Sequence, residues 1–216
     1  MPKVLVGMSG GVDSSVTAYL LQKQGYDVVG ITLKLYAEAS RCCNLDDIDD
    51  AKSVAHKLGI SHYVADLTGE FKDKVIQYFV DEYQRGNTPN PCPLCNEEIK
   101  FAFLLQRARE LGIDKIATGH YAKVIETPRG LRLTLAKDTH KSQEYFLALL
   151  PDEILKNLLL PLADYKKDEV RKIAQEAGLV QVSHKKDSQE VCFIPEGDYV
   201  SFIEKFTGQK AKSGDI

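Results

Sequence analysis

The segment Gly7-Met8-Ser9-Gly10-Gly11-Val12-Asp13-Ser14-Ser15 constrains this chain more than any other. A short apolar run, Val4 to Met8, leads into it. An apolar-periodic run from about Ser14 to Gln24 follows, with Val16, Leu20 and Leu21 on one side. A strand that turns through glycines into a helix aims backbone amides and the positive end of a helix dipole at one point, which is a seat for an anion. Gly10 and Gly11 allow close approach of a phosphate and positive φ. Ser9, Ser14 and Ser15 add hydroxyl donors. Asp13 by itself repels phosphate, so the expectation is a magnesium ion between its carboxylate and the phosphates. A glycine turn capped by Asp13 or Ser14 is the bland alternative, and for a lone Gly-Gly it would win. The full string in its strand–turn–helix context favours phosphate. The loop holds no Lys, so it is not the Gly-Lys-Ser/Thr loop of kinases and GTPases.

The rest of the chain alternates in kind. Strands are expected at Val28–Leu35, His62–Leu67 and Lys115–Thr118, and helices at Asp46–Leu58, Phe71–Gln84 and Glu97–Leu111. Repeated strand–helix units predict an α/β fold, a parallel twisted sheet flanked by helices. Val124 to Ala136 breaks the pattern as a β-hairpin around Thr127-Pro128-Arg129-Gly130. From Gln143 the chain reads as mostly helical, Lys167 to Ala177 most clearly. The division expected is residues 1–150 and a helical extension over 151–216, with a boundary near 145–160. With 216 residues and 44% hydrophobic content, the core needs no disulfide or metal to hold it. The net charge of −3 gives no global sign of nucleic-acid binding, though a local basic patch is compatible with it. Met1 leads almost at once into a strand, and no apolar run approaches the roughly 20 residues of a membrane span. The expectation is a cytoplasmic protein with no membrane partner and reduced cysteines.

Three of the five cysteines stand where chemistry is expected. Cys92 and Cys95 lie in Thr88-Pro89-Asn90-Pro91-Cys92-Pro93-Leu94-Cys95-Asn96, a proline-rigidified loop that opens a helix. A helix N-terminus favours the thiolate. Cys192 stands far downstream in Asp187-Ser188-Gln189-Glu190-Val191-Cys192-Phe193-Ile194. Two thiols that meet across a cleft can exchange sulfur, one carrying a persulfide and the other resolving it as a disulfide. Half of a structural zinc site is the alternative for Cys92 and Cys95, but no second Cys-x-x-Cys exists. Cys192 alone would also suit a buried core thiol. Cys42 and Cys43 receive no role.

Taken together, these segments are similar to the pyrophosphate-loop ATPases and, within them, to the tRNA-specific 2-thiouridylase family. The matching stretches are Gly7–Ser15, Thr88–Phe101, Ala117–Ala122 (ATGHYA), Lys141–Leu147 (KSQEYFL), Pro161–Leu179 and Asp187–Tyr199. The resemblance implies ATP-dependent thiolation of a tRNA anticodon arm. The 2-carbonyl oxygen of the wobble uridine is adenylated, sulfur replaces it, and AMP and pyrophosphate are released. It implies an ATP site at Gly7, Met8, Ser9, Gly10, Gly11, Val12, Asp13, Ser14, Leu33 and Gly119. It implies that Asn90, Pro91 and Cys92 face the target base, and that His120, Lys141, Ser142 and Gln143 contact tRNA. Cys95 would be the nucleophile, Cys192 the persulfide carrier, and Asp13 a catalytic metal ligand.

Two positions depart from that family's pattern. Cys92 stands where many members have Asp, and Ser142 where they usually have Asp. With Cys92, Cys95 and Cys192 together, a second sulfur route is open: three thiolates on a 4Fe-4S cluster whose fourth iron binds sulfide. The sulfur donor is accordingly a persulfide carrier or sulfide. The family also continues past Ser213-Gly214-Asp215-Ile216 into β-rich domains, which this sequence lacks. Two further readings stay open: an adenylating enzyme with a small-molecule acceptor, and a non-catalytic nucleotide or iron–sulfur protein. Lys166, Lys167, Arg171 and Lys172, followed by Lys185 and Lys186, read as a solvated face or as a strip tracking tRNA phosphates. Tyr36, Tyr145 and Phe146 are assigned to core packing ahead of base stacking.

Overall fold

A computed structural model describes residues 1–36, 45–185, 191–194 and 197–210. Cys42, Cys43, Lys186, Asp187 to Glu190 and the last residues, Ser213 to Ile216 among them, lie outside the described residues.

The described strands of the main sheet are β1 (Lys3–Gly7), β2 (Asp27–Lys34), β3 (Ser61–Asp66), β4 (Lys115–Ala117) and β7 (Leu158–Leu159). They run parallel in the order β3-β2-β1-β4-β7. Between β1 and β4 the winding reverses, and there the carboxyl ends of the strands open a crevice. β5 (Lys123–Thr127) and β6 (Gly130–Thr134) form the expected hairpin, closed where Arg129 N and Gly130 O meet the Thr127 hydroxyl. The one surprise in the sheet is β7, a two-residue strand inside a stretch that reads as helical. Leu158 and Leu159 are simply two apolar residues between a helix end and Pro161, too short for any period to show.

Alternation in β1 splits the core. Val4 and Val6 join one cluster with Val16, Leu21, Val54 and Val170. Leu5 joins the other with Phe71, Phe101, Leu104 and Phe193. The first face is covered by α1 (Val12–Lys23), α2 (Leu45–Leu58), α8 (Lys167–Glu176) and α9 (Val180–Ser183). The second is covered by α3 (Thr68–Phe71) and α4 (Gln77–Gln84), joined by a π-turn, and by α5 (Pro91–Cys95), a second π-turn and α6 (Ala102–Glu110). α7 (Asp152–Asn157) leads into β7, and α10 (Tyr199–Thr207) closes the described chain. β7 thus adds residues beyond 150 to the sheet, and α8 packs on α1. No described helix is long and apolar enough to cross a membrane.

Two local signals set the site. α1 begins at Val12, two residues before the sequence pattern suggests, because Gly11 already holds the extended N-cap conformation. α5 begins at Pro91, where the missing N–H costs nothing, and the Asn90 side chain caps it by accepting from Cys92 N at 3.0 Å.

Candidate active site

The carboxyl ends of β1, β2 and β4 open into a cleft of about 460 Å³, the size of a small-ligand pocket. Its floor is the Gly7–Ser14 loop. Gly10 has φ +73°, and a Cβ there would lie 2.1 Å from the Asp47 carbonyl oxygen. Gly119 meets the loop from β4: a Cβ on it would stand 2.7 Å from Ser14 N. Within the loop, Ser9 N donates to Ser14 Oγ at 3.1 Å, and the Ser15 hydroxyl donates to Gly11 O at 2.8 Å. Ile31, Leu33 and Leu35 give the cleft an apolar wall.

Both oxygens of Asp13 are engaged. Tyr121 Oη donates to Oδ1 at 2.7 Å, and Lys167 Nζ donates to Oδ2 at 2.6 Å. Lys167 is only 8% exposed, and its Nζ lies 5.8 Å from the Tyr121 ring centre. Tyr121 is itself fixed by Gln143: Gln143 N donates to Tyr121 O at 2.6 Å, and Gln143 Oε1 accepts from Tyr121 N at 3.0 Å. The second carboxylate on the cleft, Asp47, accepts from Lys185 Nζ at 2.7 Å, while the same ammonium reaches Asp50 at 2.5 Å and Gly10 O at 3.2 Å. Burial works to lower the Lys185 pKa, but Asp47 and Asp50 outweigh it and hold it above the ordinary value.

Asp13 stands in the cleft where a magnesium ion between its carboxylate and the phosphates is expected, and in this structure Lys167 holds that carboxylate. Each carboxylate of the cleft is occupied by a lysine, and no group of three or more His, Cys, Asp or Glu gathers as metal ligands among the described residues. Among those residues, Lys100, Lys141, Lys167 and Lys185 line the cleft against Asp13 and Asp47. The local balance is cationic in a chain whose overall charge is −3.

His120 follows Gly119 out of β4. Its Nδ1 lies 2.8 Å from the Thr118 hydroxyl, and its ring packs 5.7 Å from Phe101. Burial, reinforced by the Lys100 charge, pushes its pKa down to about 3, so it is neutral at physiological pH.

The other expected site residues divide. Gly7, Met8, Ser9, Gly11, Val12, Asp13, Ser14, Leu33, Gly119, His120, Lys141, Gln143 and Cys192 line the cleft. Asn90, Pro91, Cys92, Cys95 and Ser142 are not among its lining residues. Cys95 is 5% exposed within the Phe71–Phe101 cluster, and Cys192 packs against the same cluster. Phe193 anchors the Cys192 segment, with ring centres 5.6 Å from Phe71 and 5.3 Å from both Phe79 and Phe202. Such pairs are worth about 0.5–1.5 kcal/mol each. Ser142 Oγ accepts from Ala136 N at 3.0 Å, which ties the hairpin to the segment that holds Tyr121.

Two expectations change. The basic residues of α8 share no face: Lys166 and Lys172 are exposed, whereas Lys167 and Arg171, one helical turn apart, point inward. Arg171 donates to Ser183 O and Lys185 O, so it staples α9. Tyr145, assigned to the core, is 61% exposed. Sequence reading also missed Tyr121, Thr118, Lys100 and Asp47 as parts of the cleft. Thr118 and Tyr121 lie in the ATGHYA stretch and Lys100 in the Thr88–Phe101 stretch, but only the fold turns them toward the loop, and Asp47 carries no motif.

Residues 2–196 match the family model described as "tRNA methyl transferase HUP domain". The chain belongs to that family. Among curated relatives, it is 50% identical over 221 residues to the tRNA-specific 2-thiouridylase MnmA of Desulfitobacterium hafniense, covering 99% of this chain and 60% of the relative. The chain spans about three fifths of the length of the curated relatives it matches. Among solved structures, a 4-thiouridine synthetase–RNA complex with bound ATP superposes with TM-score 0.64 at 16% identity, over 96% of this chain and 50% of that one. The U34-tRNA thiolase NcsA of Methanococcus maripaludis, with its [4Fe-4S] cluster, gives 0.59 at 23% identity, over 95% and 67%. These two share the fold.

Proposed function

We propose that this member of the tRNA methyl transferase HUP domain family is the catalytic part of an ATP-dependent tRNA uridine 2-thiolase. The observation that carries the reading is one cleft in which the Gly7–Ser14 loop and Cys192 both stand. ATP places its phosphates over the loop and the start of α1, and its adenine against Ile31, Leu33 and Leu35. The 2-carbonyl oxygen of an unstacked wobble uridine, presented by the anticodon arm, attacks the α-phosphorus. Pyrophosphate leaves with the electrons of the broken bond, and the uridine N3 proton passes to solvent. A carbonyl oxygen is a poor leaving group, and adenylation turns it into AMP. The 2-thiouridylase name of the curated relatives supports uridine C2 as the target.

For sulfur, the reading takes the persulfide route. A persulfide donor loads Cys192. The terminal sulfur attacks C2 and expels AMP. The Cys95 thiolate then attacks Cys192 Sγ, which frees the thiouridine sulfur and leaves a Cys95–Cys192 disulfide for a thiol reductant to reopen. Among the described residues no group of three or more His, Cys, Asp or Glu gathers as metal ligands, and this favours the persulfide route over a cluster. Magnesium belongs to the substrate here, on the phosphates of ATP. In this reading His120, Lys141, Ser142 and Gln143 contact the tRNA, and Asn90 to Cys92 face the target base. Residues 151–216, in the same reading, complete the sheet and the cleft through β7, α8 and Cys192, and their exposed faces meet the tRNA.

The test is pyrophosphate release by the full chain, with persulfide donor and reductant, with and without unmodified tRNA, followed by nucleoside mass analysis. The reading expects release that depends on tRNA and a gain of one sulfur in place of oxygen at the wobble uridine. Release that ignores tRNA, with no thionucleoside formed, would end it.

A further inference from the structure

We infer that His62 and Thr32 are positioning residues of the phosphate loop: through the Thr32 hydroxyl, an imidazole on the edge strand β3 fixes the Met8–Ser9 peptide from which the loop turns. This role rests on the ATP reading of the cleft.

Met8 is the residue at which the chain leaves β1. Its N–H still donates to Ile31 O at 2.8 Å, but its carbonyl accepts from a side chain, the Thr32 hydroxyl, at 2.7 Å. On the far side of the same peptide, Ser9 N donates to Ser14 Oγ at 3.1 Å. Both polar groups of that peptide are thus held, one by β2 and one by α1, and its plane is set before any ligand arrives. A hydroxyl has one proton, and a carbonyl can only accept. The Thr32 proton therefore lies on Met8 O, so His62 Nε2, 2.9 Å from Thr32 Oγ1, donates to it. Burial, and then the Lys52 charge, lower the imidazole pKa below its ordinary value, so the ring is the neutral Nε2–H tautomer at physiological pH. Gly30 makes room for the contact: a Cβ on it would stand 2.5 Å from Met8 Sδ and 3.1 Å from His62 Cδ2.

Thr32 is fully buried. A valine would fill the same space with no hydroxyl to desolvate. The hydroxyl stands where it meets the first peptide of the loop. Successive residues of a strand face opposite ways. Thr32 shares the face of β2 that carries Val28, whereas Ile31 and Leu33, the apolar wall of the cleft, lie on the other face. His62 and Thr32 thus reach the loop without touching the wall proposed for adenine. In the ATP reading the phosphates lie over Gly10 to Val12, which hang between the Met8–Ser9 peptide and the first turn of α1. A loop that must find its plane at each binding event loses affinity for phosphate, and the adenine wall does not share that cost.

ATP, inorganic pyrophosphate and adenosine are titrated onto the full chain as wild type, Thr32→Val, Thr32→Ser, His62→Leu and His62→Gln. T32V is expected to bind ATP and pyrophosphate about threefold to tenfold more weakly, the loss of one hydrogen bond. H62L, one link further out, is expected to bind them about twofold to threefold more weakly. Adenosine affinity should hold in both. T32S keeps the hydroxyl and H62Q keeps an N–H donor, and each should recover most of the loss. Undiminished pyrophosphate binding by either T32V or H62L overturns the inference. So does an equal loss for adenosine, which would mean that the strand is merely destabilised. If T32V shows no cooperative thermal transition, the half-buried His62 and its two variants decide. A wild-type chain that binds neither ATP nor pyrophosphate would instead overturn the nucleotide reading. Hydrogen exchange of the Ser9 amide then decides for the loop alone: it must be faster in H62L than in wild type, and an unchanged rate sinks the idea.

Discussion

The two ends of the cleft are built on opposite physical terms. At the phosphate end polar groups are paired before any ligand arrives: Asp13 with Tyr121 and Lys167, Asp47 with Lys185, Ser9 with Ser14. At the sulfur end Cys192 lines the cleft and packs against the apolar cluster of Phe71, Phe101 and Phe193, in which Cys95 is buried outside the lining. The contrast teaches that a preorganised electrostatic site and a protected thiol site can share one cavity. The first is ready to bind a polyanion, whereas the second is shielded from stray chemistry.

The sharpest way to separate the two ends is Cys95→Ser. Under the persulfide route thiouridine formation is expected to vanish, while ATP affinity stays within about twofold, since the thiol makes no nucleotide contact in this reading. Parallel nucleoside mass analysis and ATP titration check it, and thiolation at the wild-type rate would remove Cys95 from the chemistry. Next comes Gly119→Ala, which attacks the phosphate end alone. The added carbon needs space 2.7 Å from Ser14 N and 2.8 Å from Asp13 C, both backbone atoms. A loss of about 1–3 kcal/mol in stability is expected, with weaker ATP binding, read by thermal unfolding and titration. Unchanged melting would show that β4 and the loop are less tightly locked than their spacing says.

The smallest effect expected belongs to His120, which sits between the two ends. Its folded pKa, about 3, lies below the ordinary 6.5. The unfolded chain therefore takes up its proton first, and this residue's share of stability is intact above pH 6.5 and is lost as pH falls from there toward 3. His120→Gln should flatten the pH dependence of stability between pH 7 and 5, relative to wild type. Equal slopes would mean that the imidazole is freely hydrated.

How much of this could be read beforehand follows from distance along the chain. The loop is nine consecutive residues whose glycines, hydroxyls and flanking strand and helix all signal one thing. The Cys-containing α5 is announced by its own Asn90 cap and Pro91. Parallel strands show as apolar runs, so the α/β class is legible. Lys167 is different. It pairs with a residue 154 positions away, and in the sequence it looks like one of several surface lysines. Only the helical phase, one turn from Arg171 and three residues before buried Val170, turns it inward. β7 is hidden for a related reason: its strand character comes wholly from β4 beside it.

The pairing of Asp13 with Lys167 also has a consequence for the order in which the molecule becomes competent. During synthesis the loop precedes its counter-charge, and earlier parts of a chain can begin to fold first. Lys167 comes 154 residues after Asp13, and the Lys185 clamp 175 residues after Gly10. A nascent chain thus carries four of the five described strands of the main sheet while the cleft still holds an uncompensated carboxylate. Under the proposed ATP reading, phosphates are turned away until α8 and the segment that carries Lys185 have docked.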